Sequence, residues 1–332
     1  IKDVFGGTYT AVMGKGFLAP IDTGVFSGSF ENKGIVTAID ELYLYVAIKV
    51  YPNTLIRRYK LPDATFVDEK IVTGETLSFY GSINSFMCVN DDYIFIVNPD
   101  IVRINKSTFV AEQKITPTSA VFACAKCDNN YLYTSTSSGV FTRYLVGNLT
   151  SKLEKADMTK NMFCLKDGFV YAVSYKSPYY LNKHYASDLS FVYSSPCVEH
   201  AVVDVNENGN IVVAGLGFNT SELSPVNLSV LRKLNSSLIK MSVNSPLKGI
   251  YKDGQFVIWQ KQAGTDFGGV YTNIIHKIDM NADFLASSKV LIDETYPILL
   301  VGSFVCCASL SDKITLIGMR GIEGYLYGEG LA

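Results

Sequence analysis

The side chains most often used for catalysis and metal binding are few in this chain and are not spaced for either task. There are three histidines, at positions 184, 200 and 276, and none has a partner at motif spacing. Cys124 and Cys127 form a single C-x-x-C, whereas a zinc site needs four ligands. We therefore expect no catalytic site, no bound metal and no cofactor from these residues.

The segment DVNENGN, residues 204–210, carries oxygen side chains at alternate positions before a glycine, as a calcium loop does. Its carboxylates are few, and Gly215 stands where an EF-hand would place its bidentate glutamate. The segment is also in phase with other turn-like segments, so we interpret it as a hairpin turn. No G-x-S-x-G, P-loop or H-E-x-x-H motif is present in the chain.

Composition limits the classes of partner. The 332 residues are 48% hydrophobic and 18% charged, and the formal net charge is -2. A balance of this kind gives no electrostatic case for nucleic acid or an anionic membrane surface. The longest apolar stretch, residues 296–310, is too short for a membrane span and is broken by Gly302 and Ser303. We expect neither a nucleic-acid partner nor a membrane span.

The cysteines and the glycosylation triplets favour different compartments. Seven cysteines, an odd number, lie mostly in apolar stretches, which favours free thiols and synthesis in the reducing cytoplasm. Five Asn-x-Ser/Thr triplets would suit a secreted glycoprotein; they begin at Asn105, Asn148, Asn219, Asn227 and Asn235. A chain rich in Asn, Ser and Thr contains such triplets by chance, so we give the cysteines more weight.

Two segments are nearly identical, RYKLPDATFVDEKI at residues 58–71 and RINKSTFVAEQKI at residues 103–115. Each runs from an arginine through a short polar turn into Thr-Phe-Val and then Lys-Ile. A basic residue recurs in this position at intervals of 40 to 50 residues, at Arg58, Arg103, Arg143, Lys183, Lys233 and Lys277. This period is typical of one four-stranded propeller blade, so we predict that the arginine and the phenylalanine are scaffold.

Turn residues followed by a short strand recur in phase with the basic residues. The segments are DELYLYVAI, NDDYIFIVN, CDNNYLYTS, KDGFVYAVS, ENGNIVVAG, KDGQFVIWQ and SDKITLIGM. Asp, Asn and Gly suit the tight turn of a hairpin, and the Tyr, Ile, Val and Phe that follow suit a buried strand. Each repeat unit, which contains one such turn and one of the recurring basic residues, is therefore expected to form four strands.

These units predict an all-β chain that forms a single domain over residues 1–332, a seven-bladed β-propeller. Six or eight blades are the alternatives within that fold, and a pair of β-sandwiches or a β-solenoid are the alternatives to it. Radial packing buries both faces of each sheet and leaves only short edges. The strand-like residues 6–20 precede the first turn, so we predict that this N-terminal strand completes the last blade and closes the ring.

The units IVRINKSTFV, residues 101–110, and VLRKLNSSLI, residues 230–239, resemble the loose repeat of YVTN, NHL and quinoprotein-like propellers. The turn and strand NENGNIVVAG, residues 206–215, resemble the same families, and the resemblance covers most of the chain. It implies an irregular propeller, similar to those on bacterial surfaces and in phage tails or head appendages. Only Trp259 is present, so the repeated tryptophan motif of quinone-binding propellers is missing.

The tyrosine-rich residues 170–195 stand out from the other units. Exposed tyrosine provides a large contact area for a protein or a sugar, so we take Tyr175, Tyr179, Tyr180 and Tyr185 as candidate partner-binding residues. Packing of these rings between blades is the alternative. Residues 217–227 and 262–273 lengthen their units, and we expect them to form long connections of the kind that often bind partners.

The function predicted first is non-enzymatic: a binding or structural propeller that contacts other proteins of an assembly, or a glycan. Its most concrete form is a virion component such as a phage tail or head appendage. This places the protein in a virion or at a cell surface. The first alternative is a propeller enzyme of the lactonase, lyase or hydrolase kind, with its site at the central channel. The second is a secreted glycan-binding module.

Overall fold

The computed structural model describes most of the central part of the chain and shorter stretches towards both ends. The described residues are 21–22, 35–50, 53–61, 65–74, 86–97, 99–118, 121–159, 162–198, 201–215, 218–237, 247–252, 254–266, 270–281, 284–290, 295–301, 304–309 and 313–318. Every regular element within these ranges is a β-strand. The prediction of an all-β chain is therefore confirmed.

The strands are numbered in chain order, and the first of them, β1 (Ile21–Asp22), belongs to the last sheet. Five consecutive four-stranded sheets follow. The first two contain β2 (Ile35–Ile39), β3 (Tyr43–Val50), β4 (Asn53–Lys60) and β5 (Thr65–Val72), and then β6 (Phe86–Val89), β7 (Tyr93–Val97), β8 (Ile101–Asn105) and β9 (Ala111–Ile115). The third contains β10 (Phe122–Cys127), β11 (Tyr131–Thr136), β12 (Phe141–Leu145) and β13 (Asn148–Lys155), the fourth β14 (Phe163–Lys166), β15 (Phe169–Val173), β16 (Tyr180–Tyr185) and β17 (Phe191–Pro196), and the fifth β18 (Ala201–Val205), β19 (Ile211–Gly215), β20 (Phe218–Leu223) and β21 (Val230–Ser237).

Two further sheets complete the described strands. One contains β22 (Leu247–Lys252), β23 (Gln255–Asp266), β24 (Val270–Asp279) and β25 (Phe284–Val290). The other contains β26 (Thr295–Val301), β27 (Phe304–Ser309) and β28 (Lys313–Gly318), with β1 on its outer side. Ile21 lies opposite Ile314 in that pairing. The predicted closing residues 6–20 lie outside the described residues.

Each sheet is an antiparallel meander whose first strand is innermost. The first strands of neighbouring sheets contact one another: β2 contacts β6, β6 contacts β10, β14 contacts β18, β18 contacts β22, β22 contacts β26, and β26 contacts β2. The hydrophobic core is divided into clusters between successive sheets rather than gathered in one place. The fourth strand of each sheet therefore lies at the periphery.

Packing on both faces explains why the second strands are continuous apolar runs rather than alternating ones. In β3, the side chains from Leu44 to Ile48 are fully buried, and they include Tyr45. A strand that is covered on both faces has no solvent side on which polar residues would be favoured. The aromatic and β-branched residues from which we predicted these strands therefore fill the spaces between the sheets.

The echoed segments are the third and fourth strands of two sheets, as predicted, but their phenylalanines differ. Phe66 lies on β5 and is 54% exposed, whereas Phe109 lies in the turn before β9 and is 3% exposed. Phe109 has a positive φ of 58° and packs between the first and second sheets. Phe109 is thus scaffold, while Phe66 is a surface residue, so that part of the prediction is wrong.

The predicted phase of the repeat is also wrong at one unit. Lys233 lies on β21, the fourth strand of its sheet, rather than on the third. Val213 on the second strand pairs with Ser221 on β20, which is the position that Lys183 occupies in the sheet before. The described parts of the two expected long connections are mostly strand: residues 218–227 form β20 and its turn, and residues 262–266 and 270–273 lie on β23 and β24. Residues 217 and 267–269 lie outside the described residues.

Candidate functional site: the outer strands of the fourth and fifth sheets

Three of the recurring basic residues, Arg103, Arg143 and Lys183, join neighbouring sheets, which assigns them to the scaffold. The guanidinium of Arg103 lies 4.7 Å from the centre of the Tyr93 ring, and its Nη1 donates to the carbonyl of Val146 in the next sheet. The ammonium of Lys183 lies 3.8 Å from the centre of the Phe169 ring and donates to the carbonyl of Pro225, again in the next sheet. Each basic side chain thus stacks on an aromatic ring of its own sheet and caps a turn of its neighbour.

Burial changes the pKa of the Lys183 ammonium in this contact. Loss of water around the ammonium lowers the pKa of Lys183 below its usual range. The ring below it and the carbonyls of Pro225 and Val226 replace part of that hydration. The basic side chains at these positions are thus engaged in contacts of the fold.

Two of the four candidate tyrosines are half-buried packing residues. The Tyr175 ring lies so close to Gly139 of the third sheet that a Cβ at Gly139 would come within 2.6 Å of it. Tyr179 packs against the apolar cluster between the fourth and fifth sheets, and its carbonyl accepts from the N–H of Cys197. Both therefore contribute to contacts within or between sheets.

The other two candidates are exposed, but at opposite ends of β16. Tyr180 begins the strand and Tyr185 ends it. The two residues are the ends of a six-residue strand, so at about 3.3 Å per step their Cα atoms are roughly 17 Å apart. They are an odd number of steps apart, so their side chains point to opposite faces of the sheet. The Tyr185 ring packs on Phe169, with 5.1 Å between ring centres. The structure therefore does not bring the four tyrosines together in a single site.

Sequence reasoning missed two aromatic residues that are more exposed than the predicted ones. Phe191 is 56% exposed and Tyr193 is 49% exposed, and both lie on β17, the outer strand of the fourth sheet. Tyr193 is the register partner of Lys183, while Phe191 is the partner of His184. The signal that could have found them is the sequence FVYSSP itself, a fourth strand that contains no charged residue.

The fifth sheet adds exposed apolar side chains on the neighbouring part of the rim. Val226 is exposed in the turn that accepts the Lys183 contact, and Val230 and Leu231 are exposed at the start of β21. Exposed apolar side chains on neighbouring elements are candidates for an interaction surface. We call the set Tyr180, Tyr185, Phe191, Tyr193, Val226, Val230 and Leu231 the rim surface.

His184 supports the rim surface from below. It is buried, its ring packs edge-on against Phe191, and its Nδ1 lies 3.2 Å from the carbonyl of Leu189. Nε2 has no partner. Burial, and then the charge of Lys155, lower the pKa of His184 to about 4. A neutral, enclosed imidazole with an apolar neighbour is a packing residue, as the sequence predicted.

Polar groups of two sheets that are not neighbours meet at their innermost strands. Lys126 on β10 and Asp204 on β18 approach within 3.8 Å, which joins the innermost strands of the third and fifth sheets across the fourth. Burial is the largest influence on Lys126, yet Asp204 and the nearby thiols raise its pKa on balance. No cluster of three potential ligands among His, Cys, Asp and Glu exists in the described part of the chain.

The segment DVNENGN forms the hairpin turn that was predicted. The Asn206 side-chain oxygen accepts from the N–H groups of Asn208 and Asn210, and Gly209 has a positive φ of 77°. Several glycosylation triplets have the same local origin. Asn105 accepts from the N–H groups of Ser107 and Thr108. These asparagines stabilise turns through side-chain to backbone bonds, which explains why Ser or Thr follows two residues later.

Comparison with known proteins supports the fold. Neither a protein-family model nor a curated protein matches the sequence. Among solved structures, the β-propeller protein KlHsv2, in a form with loop 6CD replaced by a Gly-Ser linker, matches with a TM-score of 0.57 and 9% identity. That match covers 83% of this chain and 89% of KlHsv2. The propeller BamB from Moraxella catarrhalis has a TM-score of 0.47 at 10% identity, covering 85% of this chain and 84% of BamB.

The KlHsv2 likeness and the repeated four-stranded sheets together assign this chain to the β-propeller fold. At such low identity the likeness extends to the fold alone. No family is assigned, so the predicted resemblance to YVTN, NHL and quinoprotein-like repeats gains no sequence-level support. Within the described residues, no helix has the length and hydrophobicity needed to cross a membrane.

Proposed function

We propose that this protein is a non-enzymatic, seven-bladed propeller that binds other proteins through the rim surface. Closure of the ring is supported by the contact between β26 and β2 and by the pairing of β1 with β28. The alternatives of six or eight blades would need a different count of four-stranded units. The proposal that residues 1–332 form a single domain rests on the same repetition.

The observation that carries the binding proposal is the presence of exposed apolar side chains on the outer strands of two neighbouring sheets. Phe191, Tyr193, Val230 and Leu231 lie on the outer strands β17 and β21, where nothing in the described part of the chain covers them. Aromatic residues with a polar tip are enriched at protein interfaces, because they bury much area with little loss of conformational freedom.

The candidate tyrosines divide between two roles under this proposal. Tyr185 contacts the partner directly, because it is exposed on the strand next to β17. Tyr180 is exposed at the other end of β16, so it contacts only a partner that extends along the strand. Tyr175 and Tyr179 hold the connection between β15 and β16 in place from a half-buried position. Binding is therefore expected to depend more strongly on Tyr185 and Tyr193 than on Tyr175.

The other functions considered have less support. The enzyme alternative requires several acidic, amide or histidine side chains that converge on the axis, and the Lys126–Asp204 ion pair occupies part of that region. Glycan binding would use the same exposed tyrosines, so it is distinguished only by experiment. A virion role gains no support from the comparisons. The location in a virion or at a cell surface stays a prediction.

A peptide selection tests the binding proposal. Immobilised wild-type protein is screened against a random library of twelve-residue peptides, and the enriched peptides are retested on a Tyr185→Lys/Tyr193→Lys variant. We expect enriched peptides whose affinity falls at least tenfold on that variant. A matched Phe66→Lys/Ile71→Lys variant changes two exposed residues on β5 and should bind normally. Absence of enriched peptides, or equal binding of the peptides to both variants, would refute the proposal. A glycan array signal that is seen with wild type and lost with the Tyr185→Lys/Tyr193→Lys variant would favour sugar as the ligand.

A further inference from the structure

We propose that β17 is a site of strand addition, at which an extended, acidic segment of a partner protein pairs with the outer edge of the fourth sheet. This inference rests on the proposed protein-binding function and specifies how the partner is bound. The fourth sheet is ordered β14-β15-β16-β17, and within the described residues no strand pairs with the other side of β17. An edge strand presents unpaired N–H and C=O groups, which an added strand can satisfy.

The register identifies which backbone groups face outwards. The N–H of Cys197 donates to the carbonyl of Tyr179, so this pair is hydrogen-bonded across the sheet. Register is continuous back to Ser194, which lies opposite Asn182. Hydrogen-bonded and non-bonded pairs alternate in an antiparallel ladder, so the N–H and C=O of Ser194 face away from β16. Pro196 occupies the other outward position, where its missing N–H breaks no bond within the sheet.

The composition of β17 sets it apart from the other outer strands. Natural edge strands are kept from pairing with other chains by charged residues, lysine above all. Each of the other fourth strands carries at least one: β5 has Asp68, Glu69 and Lys70; β9 has Glu112 and Lys114; β13 has Lys152, Glu154 and Lys155; β21 has Arg232 and Lys233; β25 has Lys289; and β1 has Asp22. The sequence FVYSSP of β17 has none. The charged residues of the other outer strands are therefore missing at this edge, and Pro196 limits pairing only at the end of β17.

Charges beside β17 indicate the chemistry of the partner. Arg143 of the third sheet donates to the carbonyls of Ala186 and Ser187 in the turn that leads into β17, and Lys155 Nζ lies 2.6 Å from the carbonyl of Leu189. The one carboxylate in that turn is Asp188, which accepts from Ser190. The surplus of positive charge favours a partner segment with acidic residues at this end. A second copy of β17 has no acidic residue to meet these cations, so self-pairing is disfavoured.

The test uses a defined probe, the fluorescein-labelled peptide Glu-Glu-Thr-Val-Thr-Val-Thr-Glu-Glu, and two proline variants. Ser194→Pro removes the outward N–H of β17. Glu154→Pro is the matched control. Glu154 on β13 lies opposite Thr142 on β12, just as Ser194 on β17 lies opposite Asn182 on β16. Binding is measured by fluorescence polarisation, and amide hydrogen exchange of wild type is followed with and without peptide. Thermal unfolding is recorded for both variants to show that they remain folded.

We expect binding that weakens at least tenfold with Ser194→Pro and is unchanged with Glu154→Pro, together with slower exchange of the Ser194 amide. A peptide with Lys in place of every Glu should bind at least tenfold more weakly. Unchanged binding by a folded Ser194→Pro variant, or no protection of Ser194, overturns strand addition even when library peptides still depend on Tyr185 and Tyr193. Failure of the acidic peptide to bind also overturns it. Self-association abolished by Ser194→Pro would show that a second copy is the occupant.

Discussion

The guanidinium carbon of Arg143 lies 4.2 Å from the centre of the Tyr131 ring. From there its Nη1 reaches the carbonyls of Ala186 and Ser187 in the next sheet. The same arrangement recurs at Arg103 and Lys183. One side chain thus combines a contact within a sheet with a contact between sheets, and this explains why a basic residue marks the period of the sequence.

Removal of this contact should destabilise the protein. Arg143→Ala loses a cation–π contact and leaves turn carbonyls without a charged donor, so we expect the free energy of unfolding to fall by about 2–4 kcal/mol. Lys152→Ala is the control: its ion pair with Glu154 is largely exposed, so its effect should stay within about 0.5 kcal/mol. Urea unfolding measures both. Equal effects for the two variants would contradict the role assigned to the basic residues.

The turn residue Leu189 should show an unusual order of substitutions. It is buried but has a positive φ of 59°, a conformation in which glycine is favoured over residues with a Cβ. Leu189→Ala loses the buried side chain and keeps the backbone strain, whereas Leu189→Gly relieves that strain by about 1 kcal/mol. We expect the glycine variant to be at least as stable as the alanine variant. Chemical denaturation tests this order.

Leu181 provides the matched comparison, because it is equally buried but lies within β16. Glycine loses more freedom on folding than alanine, so Leu181→Gly should be about 1 kcal/mol less stable than Leu181→Ala. The same order at both positions would mean that the positive φ of Leu189 carries no strain.

Stability should fall in mild acid because of His184. The pKa of this residue is about 4 in the folded protein and about 6.5 in the unfolded chain, so the unfolded chain binds the proton more readily between those values. The neutral ring therefore stabilises the folded protein above pH 6.5, and this contribution is lost as the pH falls towards 4. Between pH 7 and pH 5 the loss should be about 2 kcal/mol.

The His184→Gln variant isolates this effect, since glutamine can still donate to the carbonyl of Leu189 but does not titrate. The variant should lose about 2 kcal/mol less than wild type between pH 7 and pH 5, as measured by urea unfolding at each pH. Parallel stability profiles for the two proteins would show that His184 is not the group responsible.

Closure of the ring can be tested with a designed crosslink. Ile21 and Ile314 are opposite residues in the pairing of β1 with β28, and opposite residues in antiparallel strands lie at a distance that suits a disulfide. We expect the Ile21→Cys/Ile314→Cys variant to form that bond under mild oxidation, with peptide mapping by mass spectrometry to identify it. Ile21→Cys combined with Lys49→Cys on β3 of the first sheet is the control that should remain unlinked.

Much of the fold could be predicted from the sequence, because the repeat is local. Arg58 on β4 and Arg103 on β8 each lie on a third strand that is followed by a fourth strand, as the repeat predicted. The phase failed at Lys233, since Ser221 occupies the third-strand position there and a serine gives no basic signal. The identical Thr-Phe-Val triplets also separated into an exposed strand residue and a buried turn residue. Phe66 lies eight residues after Arg58, whereas Phe109 lies six residues after Arg103. The position of the triplet relative to the turn decides its exposure, and the triplet itself carries no information about that position.

The candidate site could be predicted only in part. The number of tyrosines in this segment led us to expect exposed ones, among them Tyr180 and Tyr185. Their placement at the two ends of β16 depends on where the turns fall along the chain. Phe191 and Tyr193 were missed because strand aromatics normally indicate burial. Knowledge that FVYSSP is an outermost strand changes the interpretation of the same residues. That knowledge comes from the order of strands in the sheet, which depends on contacts distant in sequence.

The most direct test of the account is the affinity of a library-selected peptide for three proteins, measured by isothermal titration calorimetry. The proteins are wild type, the Tyr185→Lys/Tyr193→Lys variant and the Phe66→Lys/Ile71→Lys control. The account predicts at least a tenfold loss of affinity for the first variant and wild-type affinity for the control. Equal affinities for all three proteins would contradict the claim that the rim surface of the fourth and fifth sheets binds the partner.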